Sequence, residues 1–418
     1  MNNKGNVIHI NHTTFGGPGR VANTIYDALE KEGYINYFVT VRGNNSDKRV
    51  IYLNKTHYWI SRILSKIFNK LSTSPVKIEP EVYCFPKHEE ILKKVGTNKI
   101  DIIILYWYKN TVSIRDIKKL VELTSAKVFV YLMDEGPITG GCHYYGNCHN
   151  YISGCGNCPS LFFGKINKGI TYLNVKKDRD VFEQINAKVI APTTLSRIAS
   201  DESYKLANLE KEKLLIPLSN NYTKVKSKKE YRRFLNLDKD GLFLFFGASK
   251  MNEPRKGMKY LVESLKILYT KLHKEELEKI TLLIAGNSGF DFNTLNFKIV
   301  NLGYLDYTSL INTYHASDLF ISPSIIDMGP MMVNESIKCG LPVVCFNVGV
   351  SNDIVINDKT GFRVETENIE AMADAILKFI RLSTQERDEM SINCEKLGEE
   401  ILSVSSFNRK IKEIFGTI

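Results

Sequence analysis

Short, continuous apolar runs separated by segments of helical spacing make up most of the chain. Val7–Ile10, Tyr37–Val41, Asp101–Trp107, Lys127–Leu132 and Ala187–Pro192 read as buried strands. Strands that are apolar on both faces and alternate with helices belong to a parallel sheet covered on both sides. The run at 187–192 is expected to close that sheet. A second series follows: Leu242–Phe246, Thr281–Ala285, Lys298–Leu302, Leu319–Ser322 and Pro342–Phe346, with helical patterns such as Met258–Leu272 between them. The lysine-rich, apolar-poor stretch Ile216–Asp240 separates the two series and reads as a domain boundary, and the tail from about Glu370 reads as helical. The fold class is therefore α/β: two Rossmann-like, doubly wound parallel-sheet domains, facing each other across a cleft. Ligands of such sheets sit beyond the carboxyl ends of the strands, so the functional residues are expected in strand-to-helix loops.

Composition narrows the class without identifying it. The 418 residues are 43% hydrophobic and 24% charged, which excludes a disordered chain and a disulfide miniprotein. No apolar run approaches the ~18 residues of a membrane span, and the N-terminus lacks the pattern of a signal peptide. A cytoplasmic location is the expectation. Lys and Arg number 56 against 46 Asp and Glu, a net charge of +10. That balance favours anionic partners, whether nucleic acid, acidic lipid or phosphorylated small molecules.

Three loops carry candidate chemistry. The first, Thr14–Gly19, contains Gly16 and Gly17 ahead of a helix expected from about Arg20. Glycines admit a ligand close to the backbone, and a helix N-terminus offers free N–H groups to an anion. The G-x-G-x-x-G spacing of a dinucleotide fingerprint is missing, and the second strand runs into Val41-Arg42 rather than an acid, which argues against a dehydrogenase. The second loop, Gly247–Gly257, holds Lys250, Arg255 and Lys256 and can clamp a diphosphate by charge-assisted hydrogen bonds. The third runs from Ser322 to Val344. Asp327 precedes a helix begun near Pro330 and ended near Gly340, and Glu335 falls in its second turn. Two acids eight residues apart can bracket an elongated polar ligand, a carboxylate can accept from both hydroxyls of a ribose, and the helix N-terminus favours phosphate.

Together these residues resemble the glycosyltransferase family 4 group, over nearly the whole chain. The resemblance implies the GT-B fold, an acceptor-side domain at 1–216 with a Cys-rich insertion at 142–158, a nucleotide-sugar-binding domain at 217–400, and a C-terminal helix at 401–418 packing back on the first domain. Gly16-Gly17 looks like the family's glycine loop, Glu253–Gly257 like its phosphate-binding loop, and Asp327 to Glu335 like its E-x7-E motif with Asp in first place. Ile216–Asn220 is similar to its interdomain P-N-G turn. Met133–Tyr144 is similar to bacterial cell-surface polysaccharide enzymes of the colanic-acid and O-antigen type, with Met133 where many have histidine. The implied activity is retaining transfer of a sugar from a nucleotide-diphosphate sugar to a saccharide or lipid-linked saccharide acceptor. Lys256, Arg255 and Lys250 would hold the phosphates and Glu335 the ribose. Asp327 would hold a sugar hydroxyl, and Asp134 would be the polar group near the reacting carbon. No catalytic cofactor is expected. The Asp-x-Asp pairs Asp178/Asp180 and Asp238/Asp240 lie among lysines and read as surface charge rather than metal ligands.

Two features stand apart from this scheme. Cys142, Cys148, Cys155 and Cys158, spaced C-x5-C-x6-C-x2-C, fit a structural zinc site, disulfides or packed free thiols. Cys84, Cys339, Cys345 and Cys394 read as core thiols. Residues 58–71 form a basic amphipathic segment that suits either an anionic membrane surface or a core helix with basic solvent contacts. The alternatives left open are a GT-B nucleotide-sugar hydrolase or epimerase and a basic, zinc-containing nucleic-acid binder. The second leaves the acids beside the phosphate loop unexplained, so a nucleic-acid partner is not expected.

Overall fold

A computed structural model describes residues 3–43, 49–70, 86–161, 169–238, 240–287, 292 and 294–416. The chain forms two compact units: Met1–Pro192, Ser196–Ile216 and Asn408–Ile418 make one; Thr193–Leu195 and Pro217–Phe407 make the other. The lysine-rich stretch after Ile216 is not a bare linker. It carries the helix Lys228–Phe234, and Arg232 is buried there with Nη2 at 2.6 Å from Asp318.

The first unit has seven parallel strands: β1 (Asn6–Ile10), β2 (Ile35–Thr40), β3 (Val50–Tyr52), β4 (Ile102–Leu105), β5 (Lys127–Tyr131), β6 (Lys188–Ala191) and β7 (Lys211–Lys213), in the order β3-β2-β1-β4-β5-β6-β7. The second unit has six: β8 (Leu242–Lys250), β9 (Ile280–Asn287), β10 (Lys298–Gly303), β11 (Leu319–Ser322), β12 (Val343–Phe346) and β13 (Gly361–Val364), in the order β10-β9-β8-β11-β12-β13. Every residue of β1, β4, β11 and β12 is buried, as strands covered on both faces must be. In the second unit Leu244, Leu282, Ile321 and Val344 pack with Leu261, Leu265, Met372 and Phe379 from the helices Met258–Lys271 and Ile369–Arg381.

Both sheets reverse their winding once, between β1 and β4 and between β8 and β11. The loops after those strands part at the reversal and leave a crevice, which is where a doubly wound sheet binds ligands. β6 does not close the first sheet as expected, because β7 lies outside it. β3, β7 and β13 escaped the apolar pattern, and all three are sheet edges. An edge strand such as Lys211-Glu212-Lys213 is half-covered and so lacks a continuous apolar run.

Two buried polar groups differ from expectation or add to it. Asp180, Asp238 and Asp240 are exposed, but Asp178 is not surface charge. It is fully buried, 2.9 Å from Lys205 Nζ and 4.0 Å from Lys109 Nζ. His9, at 0% exposure on β1, lies 3.0 Å from Asn36 Oδ1 and 3.0 Å from the Tyr106 hydroxyl. Asn36 Oδ1 only accepts, so the Nε2–H tautomer of a neutral imidazole satisfies both contacts. Burial lowers the His9 pKa to about 4. The unfolded chain then binds a proton that the folded chain refuses between pH 6.5 and 4. Stability contributed here is complete above pH 6.5 and declines as pH falls, by roughly 1.4 kcal/mol per pH unit. Urea midpoints measured across this range should fall less steeply for His9→Gln than for the parent protein.

Candidate functional site

In the second unit the cationic loop and the acidic loop meet. Pro254–Lys256 forms one tight turn after β8, and Gly257 follows with φ +73°. A Cβ on Gly257 would lie 1.7 Å from the Pro323 carbonyl oxygen, so only glycine fits. The Ile325 N–H donates to the Arg255 carbonyl at 2.9 Å and fastens the loop after β8 to the loop after β11. Lys256 Nζ thereby reaches Asp327 Oδ2 at 2.7 Å, and Arg255 Nη1 reaches the same oxygen at 3.3 Å. Glu253 receives the other side of Arg255 at 2.8 Å, and the Gly329 N–H donates to Asp327 Oδ1 at 3.2 Å. Lys250 ends β8 and is exposed.

Asp327 sits four residues ahead of the helix Met331–Lys338, whose N-cap, Pro330, makes no capping bond through its side chain. Glu335, in the second turn, is 5% exposed. Its carboxylate is closed off from solvent by two phenols. The Tyr222 hydroxyl donates to Oε1 and the Tyr314 hydroxyl to Oε2, each at 2.9 Å. Burial first, and then this carboxylate, push both phenol pKa values upward. The sequence did not reveal either tyrosine as a partner: Tyr222 lies in the lysine-rich stretch and Tyr314 in an unremarked helix.

In the first unit the helix begins at Gly16, not near Arg20, so Gly16 and Gly17 form its first turn. Both are exposed, a Cβ on either would meet nothing within 4 Å, and no side chain caps the helix. This leaves a bare N-terminus beyond β1. Asp134 follows β5. Its Oδ1 accepts the Gly136 N–H at 2.8 Å, and its Oδ2 lies 2.6 Å from His143 Nδ1. The edge of Trp107 packs on His143, with centroids 5.2 Å apart. Trp107, Lys109, Asp134, Cys142 and His143 line an open concavity. Asp134 is legible in the sequence as a polar candidate, whereas His143 becomes its partner only through the fold.

The four clustered cysteines line one further cavity, and none forms a disulfide. Among the described residues no group of three or more His, Cys, Asp or Glu side chains is gathered to hold a metal ion as placed. Cys339, Cys345 and Cys394 are buried thiols, whereas Cys84 lies outside the described residues.

Two Rossmann-like units of six and seven parallel strands, with polar groups at the winding reversals, define a GT-B protein. The structure superimposes on HepE of Anabaena, solved in complex with UDP and glucose, with a TM-score of 0.66 over 99% of this chain and 100% of that one, at 13% identity. Residues 227–397 match the sequence model of the family described as glycosyl transferases group 1, and this segment is a domain of that family. O-antigen chain mannosyltransferase B of Escherichia coli is 27% identical over 151 residues, 34% of this chain and 37% of that protein. The UDP-Gal:alpha-D-GlcNAc-diphosphoundecaprenol alpha-1,3-galactosyltransferase of Escherichia coli is 27% identical over 104 residues, 25% of this chain and 26% of that protein. The matches thus span about a third and a quarter of these two relatives.

The clamp on Glu335 has a measurable consequence. Tyr314→Phe leaves a buried carboxylate one donor short and should destabilise the second unit by roughly 1.5–3 kcal/mol, read as a lower urea midpoint.

Proposed function

We propose that this protein is a retaining glycosyltransferase of cell-surface polysaccharide or O-antigen assembly, moving a sugar from a nucleoside-diphosphate sugar to a saccharide acceptor carried on lipid. The observation that carries the reading is the meeting of Lys256 and Arg255 on Asp327 beside an uncapped helix N-terminus. The pairing is partly exposed on both sides, at 21% for Lys256 and 14% for Asp327, so it is exchangeable. A diphosphate takes the cations, and the freed Asp327 accepts from a hydroxyl of the donor sugar. Lys250 adds a third cation. Glu335, fixed by its two tyrosines, addresses the ribose. The transition state is oxocarbenium-like, and negative charge gathers on the leaving diphosphate. Stabilising that charge is the main catalytic task, and the prepositioned cations do it. Asp134, held by His143, serves the reacting end of the sugar. Attack on the face from which the diphosphate departs needs no enzymic nucleophile and preserves the anomeric configuration. The names of the two Escherichia coli relatives, an O-antigen enzyme and a transferase to a diphosphoundecaprenol-linked sugar, support this acceptor class.

A panel of nucleotide sugars with a lipid-diphosphate saccharide acceptor tests this reading. Transfer with the product anomer matching the donor, read by NMR, is expected; hydrolysis alone or inversion overturns it. Lys256→Ala should lower kcat/KM by about 2–4 kcal/mol, roughly 30- to 1,000-fold. Unaltered turnover would remove Lys256 from the site.

The helix Thr56–Lys70 supports a membrane-borne acceptor. Trp59, Ile63 and Ile67, four residues apart, are 58%, 58% and 48% exposed, beside exposed Arg62, Lys66 and Lys70, and the helix contains no acid. The side chain of Phe68, and Leu71, lie outside the described residues. No helix among the described residues is long and apolar enough to cross a membrane. An apolar stripe edged by cations suits the surface of an anionic bilayer. Lys66→Glu with Lys70→Glu should abolish cosedimentation with vesicles rich in anionic lipid; equal binding by the variant excludes this contact.

A further inference from the structure

The lysine-rich stretch after Ile216, which the donor site leaves unused, directs its charge two ways. Between Ile216 and Leu237 it carries six cations, Lys224, Lys226, Lys228, Lys229, Arg232 and Arg233, against one acid, Glu230. Lys228 and Arg232 turn inward onto Asp318, at 2.9 and 2.6 Å. Arg232 Nε also donates to the Ala316 carbonyl at 3.0 Å, and the Tyr231 ring stacks on His315 with centroids 4.8 Å apart. These contacts fix one face of the helix Lys228–Phe234 on the second unit. Glu230 is held at its own helix end, where the Ser227 N–H and hydroxyl donate to Oε2 at 2.8 and 2.6 Å. The other four cations, Lys224, Lys226, Lys229 and Arg233, are exposed and form no ion pair among the described residues. Glu230 carries a single charge, felt by Lys226 and Arg233, and so offsets no more than one of the four.

Two large apolar side chains stand among these cations. Val225 is 81% exposed and Phe234 68%, two of the three most exposed large hydrophobic side chains among the described residues. Both belong to one surface. The Val225 N–H donates to the Tyr231 hydroxyl at 3.3 Å, which holds the loop on the helix, and Lys226 Nζ lies 6.0 Å from the centre of the Phe234 ring. Lys229 and Arg233, four residues apart, share one side of the helix.

A single exposed apolar side chain is ordinary. Two of them within a cluster of outward cations call for a partner that offers both negative charge and an apolar interior. A nucleic acid supplies the charge and a face for Phe234 to stack on, but leaves Val225 in water. An anionic bilayer supplies both: phosphates for the cations and the acyl boundary for the two apolar side chains.

We propose that this face of the second unit, Val225 and Phe234 ringed by Lys224, Lys226, Lys229 and Arg233, seats on an anionic bilayer surface, as an attachment additional to the helix Thr56–Lys70. The inference rests on the reading of a lipid-borne acceptor and extends it to the unit that holds the cationic and acidic loops. Stable attachment through weak contacts takes two of them on one chain, so the patch adds to the first-unit helix rather than replacing it.

The full chain and vesicles of phosphatidylglycerol and phosphatidylcholine in equal parts supply the test. Lys226→Gln, Lys229→Gln and Arg233→Gln together should weaken vesicle binding on the order of 100-fold at low salt, with the urea midpoint of the parent protein. Val225→Ser with Phe234→Ser should weaken binding even in salt strong enough to screen the cations. Phe234→Trp reports the patch itself: brominated phosphatidylglycerol should quench its emission beyond that of the parent chain, whose own tryptophans are Trp59 and Trp107. Equal binding by the triple variant, or no added quenching in Phe234→Trp, overturns the proposal. So does retention of the parent chain on DNA without binding to vesicles, which would make the patch a nucleic-acid surface. If the triple variant fails to fold, the tryptophan at exposed position 234 still decides. The two attachments fail separately: if Lys66→Glu with Lys70→Glu binds vesicles as the parent does, the first-unit contact falls, and the Phe234→Trp quenching settles this one.

Discussion

A missing side chain at residue 257 sets the distance between the cationic loop and the acidic loop. With Gly257 against Pro323, the loops after β8 and β11 lie backbone to backbone. A Cβ would lie 1.7 Å from the Pro323 carbonyl oxygen and so force the two loops apart. The cations come from one strand end and the carboxylate from another, 71 residues later in the chain for Lys256 and Asp327. The winding reversal between β8 and β11 makes those strands neighbours, and the glycine lets their loops touch. Topology and one local conformation together place the charges, and neither does so alone.

Charge near this site does not attract a ligand simply by excess. Arg255 and Lys256 face Glu253 and Asp327, two cations against two acids. A diphosphate must therefore displace Asp327 from its cations rather than add to a positive patch. Displacement is favourable only if the freed carboxylate finds another donor, since a half-buried acid left unpaired is costly. A sugar hydroxyl on the same molecule supplies that donor. On the proposed reading only the sugar conjugate, and not the bare nucleoside diphosphate, satisfies both halves of the broken pair. Glu335 adds rigidity: a carboxylate held by two phenols keeps its orientation at little entropic cost when it meets a ligand.

The apolar runs of the sequence revealed the covered strands and hid three of the four edges, β10 being the exception. Asp101–Leu105 and Leu319–Ser322 are legible because both faces are buried, whereas Lys211–Lys213 looks like loop because one side meets water. Asp178 was misread for a related reason. Lysine neighbours in sequence suggested solvent, but its partners Lys205 and Lys109 come from distant loops. The cationic and acidic loops were legible as chemistry because their residues cluster in sequence. Tyr222, Tyr314 and His143 were not, since each acts on a residue brought near only by the fold. Gly16 and Gly17 were legible as a flexible loop, yet they open the helix itself, a boundary that propensity places poorly when no capping side chain marks it.

The two units use one architecture for opposite electrostatic ends. Beyond β8 and β11 stand Arg255 and Lys256, partly exposed and paired with Asp327, suited to exchange one anionic partner for another. Beyond β4 and β5 stand Trp107, His143 and Asp134, close-packed and joined by a 2.6 Å hydrogen bond, suited to a reaction centre where orientation matters more than charge. A rigid site needs a rigid frame, and around His143 loop hydrogen bonds supply it: the Glu135 N–H donates to the His143 carbonyl at 3.0 Å and the Thr139 hydroxyl to the Cys142 carbonyl at 2.7 Å, so the ring that faces Asp134 is set by its own backbone.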